Sequence, residues 1–248
     1  MILVFGGTTE GKQVASILDD LQLPYYYSTK TKIDFNGMGK PISGAMDVLD
    51  IERFCIENKV SHIINASHPF AEELHKTIAN NSLSIPLIRF ERFFPEKTNH
   101  ELVHYVDGFK EAIQLLKNNK YKKLLALSGV QTIQKLTSFW KQNKTWFRIL
   151  DRESSRAIAQ KSGFPSENLL FGYPQSSHEE VLLYKELNPD VILTKESGTN
   201  GKLEQKITAA ITTNTSIVII NKPLLSKKYI CVNNETQLIT ILKEAILE

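Results

Sequence analysis

No stretch of the sequence approaches the ~18–20 consecutive apolar residues that a helix needs to cross a bilayer. Its first residues form a short apolar run that passes straight into a glycine turn. They lack the basic segment, long apolar core and cleavage site of a secretory signal. We therefore expect no membrane span, no signal peptide and a cytoplasmic protein. Cysteine is scarce: the 2 present, Cys55 and Cys231, stand far apart and in no C-x-x-C pair. That excludes a disulfide framework and a cysteine zinc site, and both thiols read as buried and reduced. Charge of one sign is missing too. Thirty Lys and Arg face 27 Asp and Glu, a net +3, too mild for a nucleic-acid binder yet suited to a small anionic ligand. Low-complexity tracts are absent, and 42 % hydrophobic with 23 % charged residues is the balance of an ordinary globular chain.

Several catalytic signatures are also absent. There is no G-x-S-x-G elbow for a hydrolase. The stretch around Gly201 and Lys202 is not a Walker A loop, because position 196 is Glu and Lys202 is followed by Leu203. Tyr26 and Lys30 have a Y-x-x-x-K spacing but fall on an expected strand, where four residues span about 13 Å and cannot bring the two side chains together. His62, His68 and His75 fall on a strand, a loop and a helix with no close pair, so no metal site is expected. Glu72, Glu73, Glu179 and Glu180 read as solvated helix faces.

What is present is a regular alternation. Short β-branched or apolar runs at 2–5, 25–28, 62–65, 87–90, 102–106, 123–127, 146–150, 168–171, 191–194 and 217–220 predict strands. Helical patterns at 11–21, 51–58, 70–80, 108–118, 131–141, 154–161, 177–187, 202–211 and 235–247 fall between most of them. Such alternation implies βαβ crossovers and parallel sheets covered on both faces. It gives too many strands for one comfortable sheet. The aperiodic, proline-bearing segment 91–100 predicts a boundary. The expected fold is α/β, with two Rossmann-like domains at 1–95 and 96–248, largely parallel sheets and an interdomain cleft.

Ligands of open α/β sheets bind beyond the carboxyl ends of strands, and four such loops are chemically unusual. The first is "GGTTEG", residues 6–11. Gly6 and Gly7 permit a sharp turn and close approach, Thr8 and Thr9 offer hydroxyls, and a helix N-terminus at Glu10 and Gly11 supplies N–H groups. Together they predict a dinucleotide-type anion site, although Thr8 breaks the G-x-G-x-x-G fingerprint. A plain tight turn is the alternative. The second loop follows the next strand, where NAD-preferring domains place an acid for the ribose hydroxyls. Here Ser28, Thr29, Lys30 and Lys32 stand instead, which predicts NADPH rather than NADH; a solvated polar turn would look the same.

The third is "NASHPFAEEL", residues 65–74. Ser67 or His68 is positioned to cap the helix that opens at Pro69. His68 could also contact a ligand or move a proton. The fourth is "LTKESGTNGKLEQKITAA", residues 193–210, where Lys195, Ser197, Gly198 and Lys202 form a second anion nest at a helix start. Ser128 and Gly129 make a smaller echo.

Three of these stretches in this order, "GGTTEG", "NASHPFA" and "TKESGTNGKLEQKITAA" followed by "IINKP", resemble the precorrin-6A reductase family of cobalamin biosynthesis, including its cobalt-precorrin-6A branch. Minor echoes are "RFERFFP", residues 89–95, and "RILD", residues 148–151. The chain departs from the family pattern at Asn65, where Asp is usual, at Ser67 for Thr, and at Lys222–Pro223 for Arg–Pro. The third motif carries Glu196, Thr199 and Asn200 where the family is often rich in Asn and Gly.

The resemblance implies NADPH-dependent reduction of one double bond in a corrin-ring precursor, a tetrapyrrole-derived polycarboxylate. Gly6, Gly7, Thr8, Thr9, Glu10, Gly11, Ser28, Thr29, Lys30 and Ser67 would then hold the cofactor. Ser128, Gly129, Lys195, Ser197, Gly198 and Lys202 would hold the substrate, with His68 as the nearest candidate for a substrate contact or proton donor. Two rivals remain open at this stage. One is a non-catalytic NADPH-binding sensor, which would have no need of a polycarboxylate nest. The other is a sugar-nucleotide enzyme using the same cleft.

Overall fold

In a computed structural model, which describes residues 1–246, the chain divides into two compact units. Unit 1 is Met1–Phe93 with Pro223–Glu248, and unit 2 is Phe94–Lys222. The chain opens with β1 (Ile2–Phe5), α1 (Thr9–Asp20), β2 (Tyr25–Thr29), β3 (Lys40–Ser43), α2 (Val48–Glu57), β4 (His62–Asn65), α3 (Glu72–Ala79) and β5 (Leu87–Phe90). Unit 2 follows with β6 (Val103–Val106), α4 (Phe109–Asn118), β7 (Lys123–Ala126), α5 (Thr137–Trp140), β8 (Lys144–Ile149), α6 (Glu153–Lys161), β9 (Leu169–Phe171), α7 (Ser177–Leu187), β10 (Val191–Lys195), α8 (Leu203–Thr212) and β11 (Ser216–Ile220). The chain then returns to unit 1 with β12 (Tyr229–Val232) and α9 (Glu235–Ile246). Leu247, the end of the expected last helix, lies outside the described residues.

Each unit holds a six-stranded sheet, ordered β12-β5-β4-β1-β2-β3 and β6-β11-β10-β7-β8-β9, and the strands pair in parallel. Successive residues of a strand point to opposite faces, so β1 serves two cores. Ile2 and Val4 pack with Val14, Leu18, Tyr27, Leu238 and Leu242, on the side of α1 and α9. Leu3 and Phe5 pack with Ile51, Cys55, Ile63 and Ile78, on the side of α2 and α3. Full burial of a Leu or Ile side chain stabilises by roughly 1.5–3 kcal/mol. That is why β1 reads as an unbroken apolar run. Capping boxes start two helices, Asp47 with Asp50 on α2 and Ser176 with Glu179 on α7. Among the described residues no helix is long and apolar enough to cross a membrane.

The structure differs from the sequence expectation at several points of the fold. The expected domain 96–248 loses its last segment, because β12 and α9 complete the sheet and one core of unit 1. Strands β3 and β12 were not foreseen. Both are sheet edges, and β3 carries Pro41, which an edge tolerates because only one side of the strand must hydrogen-bond. The expected helix 131–141 is two short 3₁₀ turns followed by the four-residue α5. There the Thr132 hydroxyl donates to the Gly129 carbonyl and Trp140 Nε1 to Ile133, and β-branched Val130, Thr132, Ile133 and Thr137 disfavour a regular helix. Finally, Cys55 is buried, which pushes its thiol up to about 11, whereas Cys231 is exposed on edge strand β12.

Candidate functional site

In unit 1 the chain runs from β1 outward to β2 and β3, then restarts at β4 and runs the other way to β5 and β12. The order reverses between β1 and β4. A crevice opens at such a switch point, outside the carboxyl ends of the two strands. Here that places "GGTTEG" beside "NASHP". The two loops are fastened together, because the Thr8 hydroxyl donates to the Ala66 carbonyl at 2.7 Å. The same oxygen accepts from the Gly11 N–H at 3.0 Å and so caps α1. Thr8 is thus a cap and a staple, whereas Thr9 is exposed at the first turn.

The three glycines have different reasons. A Cβ on Gly6 or Gly11 would collide with the Tyr27 side chain, which fills the space beneath the loop. The Tyr27 hydroxyl accepts the Gly7 N–H at 3.0 Å, and its ring stacks on Phe35 at 4.3 Å. Burial raises the Tyr27 pKa above its ordinary value, so the phenol stays neutral. Gly7 is the residue that faces outward. Its φ is +88°, and a Cβ there would meet only Thr29 Cγ2, at 3.7 Å. An open cradle at the N-terminus of α1, at a switch point, fits the pyrophosphate of a dinucleotide. At the end of β2, Ser28 and Thr29 are buried. The Ser28 carbonyl accepts from Gly6, and the Thr29 hydroxyl donates to the Thr31 carbonyl at 2.8 Å. Lys30 and Lys32 are exposed, and no acid stands at 28–32.

The floor of the β4 end is a buried polar network. Asn65 is fully buried and its orientation is fixed by its neighbours. Oδ1 accepts from the Ser67 N–H and hydroxyl and from Arg89 Nη1, at 3.2, 2.7 and 3.1 Å. Nδ2 donates to Tyr229 Oη at 3.1 Å and faces His75 Nδ1 at 2.9 Å. Because Nδ1 must then accept, the His75 proton sits on Nε2 and goes to the Pro69 carbonyl. Burial first, and the nearby Arg89 cation second, push the His75 pKa down to about 4. Arg89 Nη1 also donates to the Asn65 and Ser67 carbonyls, at 3.0 and 2.9 Å. Ser67 is therefore turned inward. His68 is exposed and accepts the Phe70 N–H on Nδ1 at 3.1 Å, which leaves Nε2 as the protonated nitrogen of the neutral ring. The expected capping by Ser67 or His68 is not found: α3 opens at Glu72 behind Ala71, without a side-chain cap.

Unit 2 has its own switch point, between β7 and β10. Gly129 there has φ +88° with nothing within 4 Å of a Cβ, and buried Ser128 pairs with Thr132 at 2.7 Å. At the end of β10, Gly198 and Lys202 both take positive φ, +64° and +48°. Gly201 is required because a Cβ would strike the Ser197 side chain. Half-buried Lys195 is pushed down to about 8, by burial and then by Lys135. Lys206, which the sequence reading overlooked, is 3 % exposed. Its Nζ donates to the Gly201 carbonyl at 2.8 Å and reaches Thr194 Oγ1 at 3.4 Å. Burial, then Arg148, push it down to about 8 as well. Arg148 is held at 2.6 Å by Glu180, which is fully buried and not on the solvated helix face expected. Lys202 is exposed, so half-buried Lys195 and buried Lys206 are the shielded cations of this nest. The signal for Lys206 was its place on α8 between Leu203 and Ala210, on the apolar face. Among the described residues no group of three His, Cys, Asp or Glu could hold a metal ion.

The family model described as precorrin-6x reductase, CbiJ/CobK, matches residues 1–243. A cobalt-precorrin-6A reductase of Methanocaldococcus jannaschii is 27 % identical over 231 residues, 90 % of this chain and 90 % of that protein. A protein of the same name from Priestia megaterium is 28 % identical over 236 residues, covering 90 % and 91 %. Among solved structures, CobK precorrin-6A reductase has a similar fold, with a TM-score of 0.77 at 19 % identity over 98 % of this chain and 96 % of that one.

Proposed function

We propose a division of labour for this chain, which belongs to the precorrin-6x reductase family: unit 1 holds NADPH and unit 2 holds the carboxylates of a corrin-ring precursor. The chain is a reductase of cobalamin biosynthesis that acts on the precorrin-6A or cobalt-precorrin-6A ring and gives the 6B form. We favour the cobalt-loaded ring, the substrate named for the relatives at 27 % and 28 % identity. The family's reductive chemistry requires a nicotinamide cofactor, which supplies a hydride when bound.

The observation that carries the cofactor reading is the Gly7 cradle, open at the first turn of α1 and flanked by a β2 end that offers Lys30 and no acid. Lys30 and the neighbouring Thr29 suit a 2′-phosphate, which selects NADPH over NADH. Gly6, Gly11 and Tyr27 shape the loop, Thr8 ties it to the β4 end, and Ser67 supports that end from within. In unit 2, Lys195 and Lys206 concentrate positive charge around Ser128, Gly129, Ser197 and Gly198. That arrangement suits a polycarboxylate and gives no reason for a mere cofactor sensor. His68 is the proton donor or ring contact in this reading. Its exposed position favours it over His75, which is buried with both ring nitrogens engaged. The same reading places the protein in the cytoplasm, where an exposed thiol such as Cys231 stays reduced.

The test is anaerobic incubation with NADPH and each ring precursor, metal-free and cobalt-loaded, while NADPH absorbance is followed. Oxidation that depends on the cobalt-loaded ring is expected. Tight NADPH binding with no turnover of either ring would favour the sensor.

A further inference from the structure

Glu10 is a peculiar residue for a phosphate loop. It sits in the first turn of α1, two residues beyond the capping Thr8, and is only 5 % exposed. A helix N-terminus carries about half a positive charge, whereas an ionised carboxylate carries a full negative one. Alone, Glu10 would more than cancel the potential that draws a pyrophosphate to this turn. An acid in a first turn commonly serves the helix itself, but it does so from the surface and needs no partner. Here the carboxylate is met by Arg92, 82 residues away, at 2.7 Å, with side chains 7 % and 9 % exposed. Arg92 follows β5 within unit 1, in the "RFERFFP" stretch whose role the cofactor and substrate sites leave unexplained.

We propose that Arg92 is a positioning residue of the cofactor site: it neutralises Glu10 and so keeps the opening loop receptive to the pyrophosphate of NADPH. The pair restores the local balance to that of the helix N-terminus. It also fixes the chain after β5 against the loop after β1. This rests on the reading of the Gly7 loop as the pyrophosphate site. The specificity is electrostatic. Glu10 is not itself a ligand of the cofactor, and Arg92 offsets most of its charge.

The experiment is NADPH titration by calorimetry on the full chain, with circular dichroism to check folding, for Arg92→Leu, Arg92→Lys, Glu10→Gln and the double variant Glu10→Gln/Arg92→Leu. Arg92→Leu is expected to weaken NADPH about tenfold, the scale of one uncompensated charge in a partly buried site. Glu10→Gln, which removes the negative charge from the loop, is expected to tighten binding by about threefold. Arg92→Lys should stay within about threefold of the parent, and the double variant should return to near the parent value. Normal affinity in folded Arg92→Leu would overturn the proposal. So would a loss in Glu10→Gln, or a double variant as weak as Arg92→Leu, since either marks the pair as a plain structural brace. If Arg92→Leu does not fold, Glu10→Gln and Arg92→Lys still decide by the same signs. Failure of the underlying reading looks different: Gly7→Val would then bind NADPH like the parent.

Discussion

The two switch points of this chain occupy the same place in their sheets and are built from opposite materials. That of unit 1 is nearly neutral. Its acids and cations are paired, Glu10 with Arg92 and Glu91 beside Arg89, and its histidine floor is uncharged. Backbone N–H groups and a glycine that faces outward do the receiving. That of unit 2 carries Lys195 and Lys206, both partly desolvated, near Lys135 and Arg148, with Glu180 engaged by the arginine. In the proposed reading, the neutral cradle recognises shape and a diphosphate turn, and the charged nest recognises the number of anionic groups. Parallel topology supplies the location, and the side chains just past each strand decide what it is for.

The sharpest way to break this contrast is at Gly7. With φ +88°, any β-branched residue is strained there and would occupy the cradle. Gly7→Val should weaken NADPH about 100-fold or more, or about 2.7 kcal/mol, while far-UV circular dichroism stays unchanged. Normal affinity in the folded variant would reduce the loop to a turn. The charged nest is tested next. Lys195→Ala should raise the substrate KM about tenfold, with NADPH affinity much less changed and the effect shrinking as salt rises. Exposed Lys202→Ala should cost less than about threefold. Because Lys195 is a cation only below about pH 8, kcat/KM should fall as pH rises past that point, and this inflection should vanish in Lys195→Ala. Loss of NADPH with retained substrate affinity would reverse the assignment of the two nests.

A smaller change can spoil the neutrality of unit 1 from below. Asn65→Asp places a carboxylate beside His75, which favours the imidazolium and should raise the His75 pKa from about 4 by about a unit or more. An NMR titration of the ring protons measures it directly; an unmoved His75 would mean that Arg89 absorbs the new charge. The mildest effect is expected at Lys30. It is exposed and therefore screened, so Lys30→Ala should lower the NADPH-to-NADH affinity ratio only about fivefold by calorimetry. An unchanged ratio would leave the 2′-phosphate without its proposed partner.

Both loops, as candidate sites, were legible in the sequence where local chemistry encodes them. Paired glycines with a threonine cap announce a tight βα turn wherever they occur, and Lys195 with Gly198 and Gly201 announce another. What lay beyond reach was partnership. Tyr27 is the reason for Gly6 and Gly11, yet nothing near position 6 says so. Arg92 finds Glu10 across 82 residues, which no periodicity records. The two missed strands are sheet edges. β3, Lys-Pro-Ile-Ser, has no buried residue and lacks the apolar run of a central strand, and β12, Tyr-Ile-Cys-Val, is a short run that buries only Tyr229 and Val232. The return of β12 and α9 to unit 1 left one indirect mark: only four strands were expected before residue 95, against six after it. A switch-point sheet with a single strand beyond β4 was short of members, and the missing ones had to come from elsewhere.

That return has a consequence for how the protein is made. During synthesis β1 to β5 leave the ribosome first, but the apolar side of their sheet keeps Val4, Ile64, Ile88 and Phe90 waiting for Leu238 and Leu242. Unit 2 is continuous from Phe94 to Lys222 and has every strand of its sheet before unit 1 has its sixth. The earlier-born half is therefore the later to mature. It spends the translation of the intervening segment with strand β5 unpaired on one side, the kind of edge that nascent chains must hide from one another.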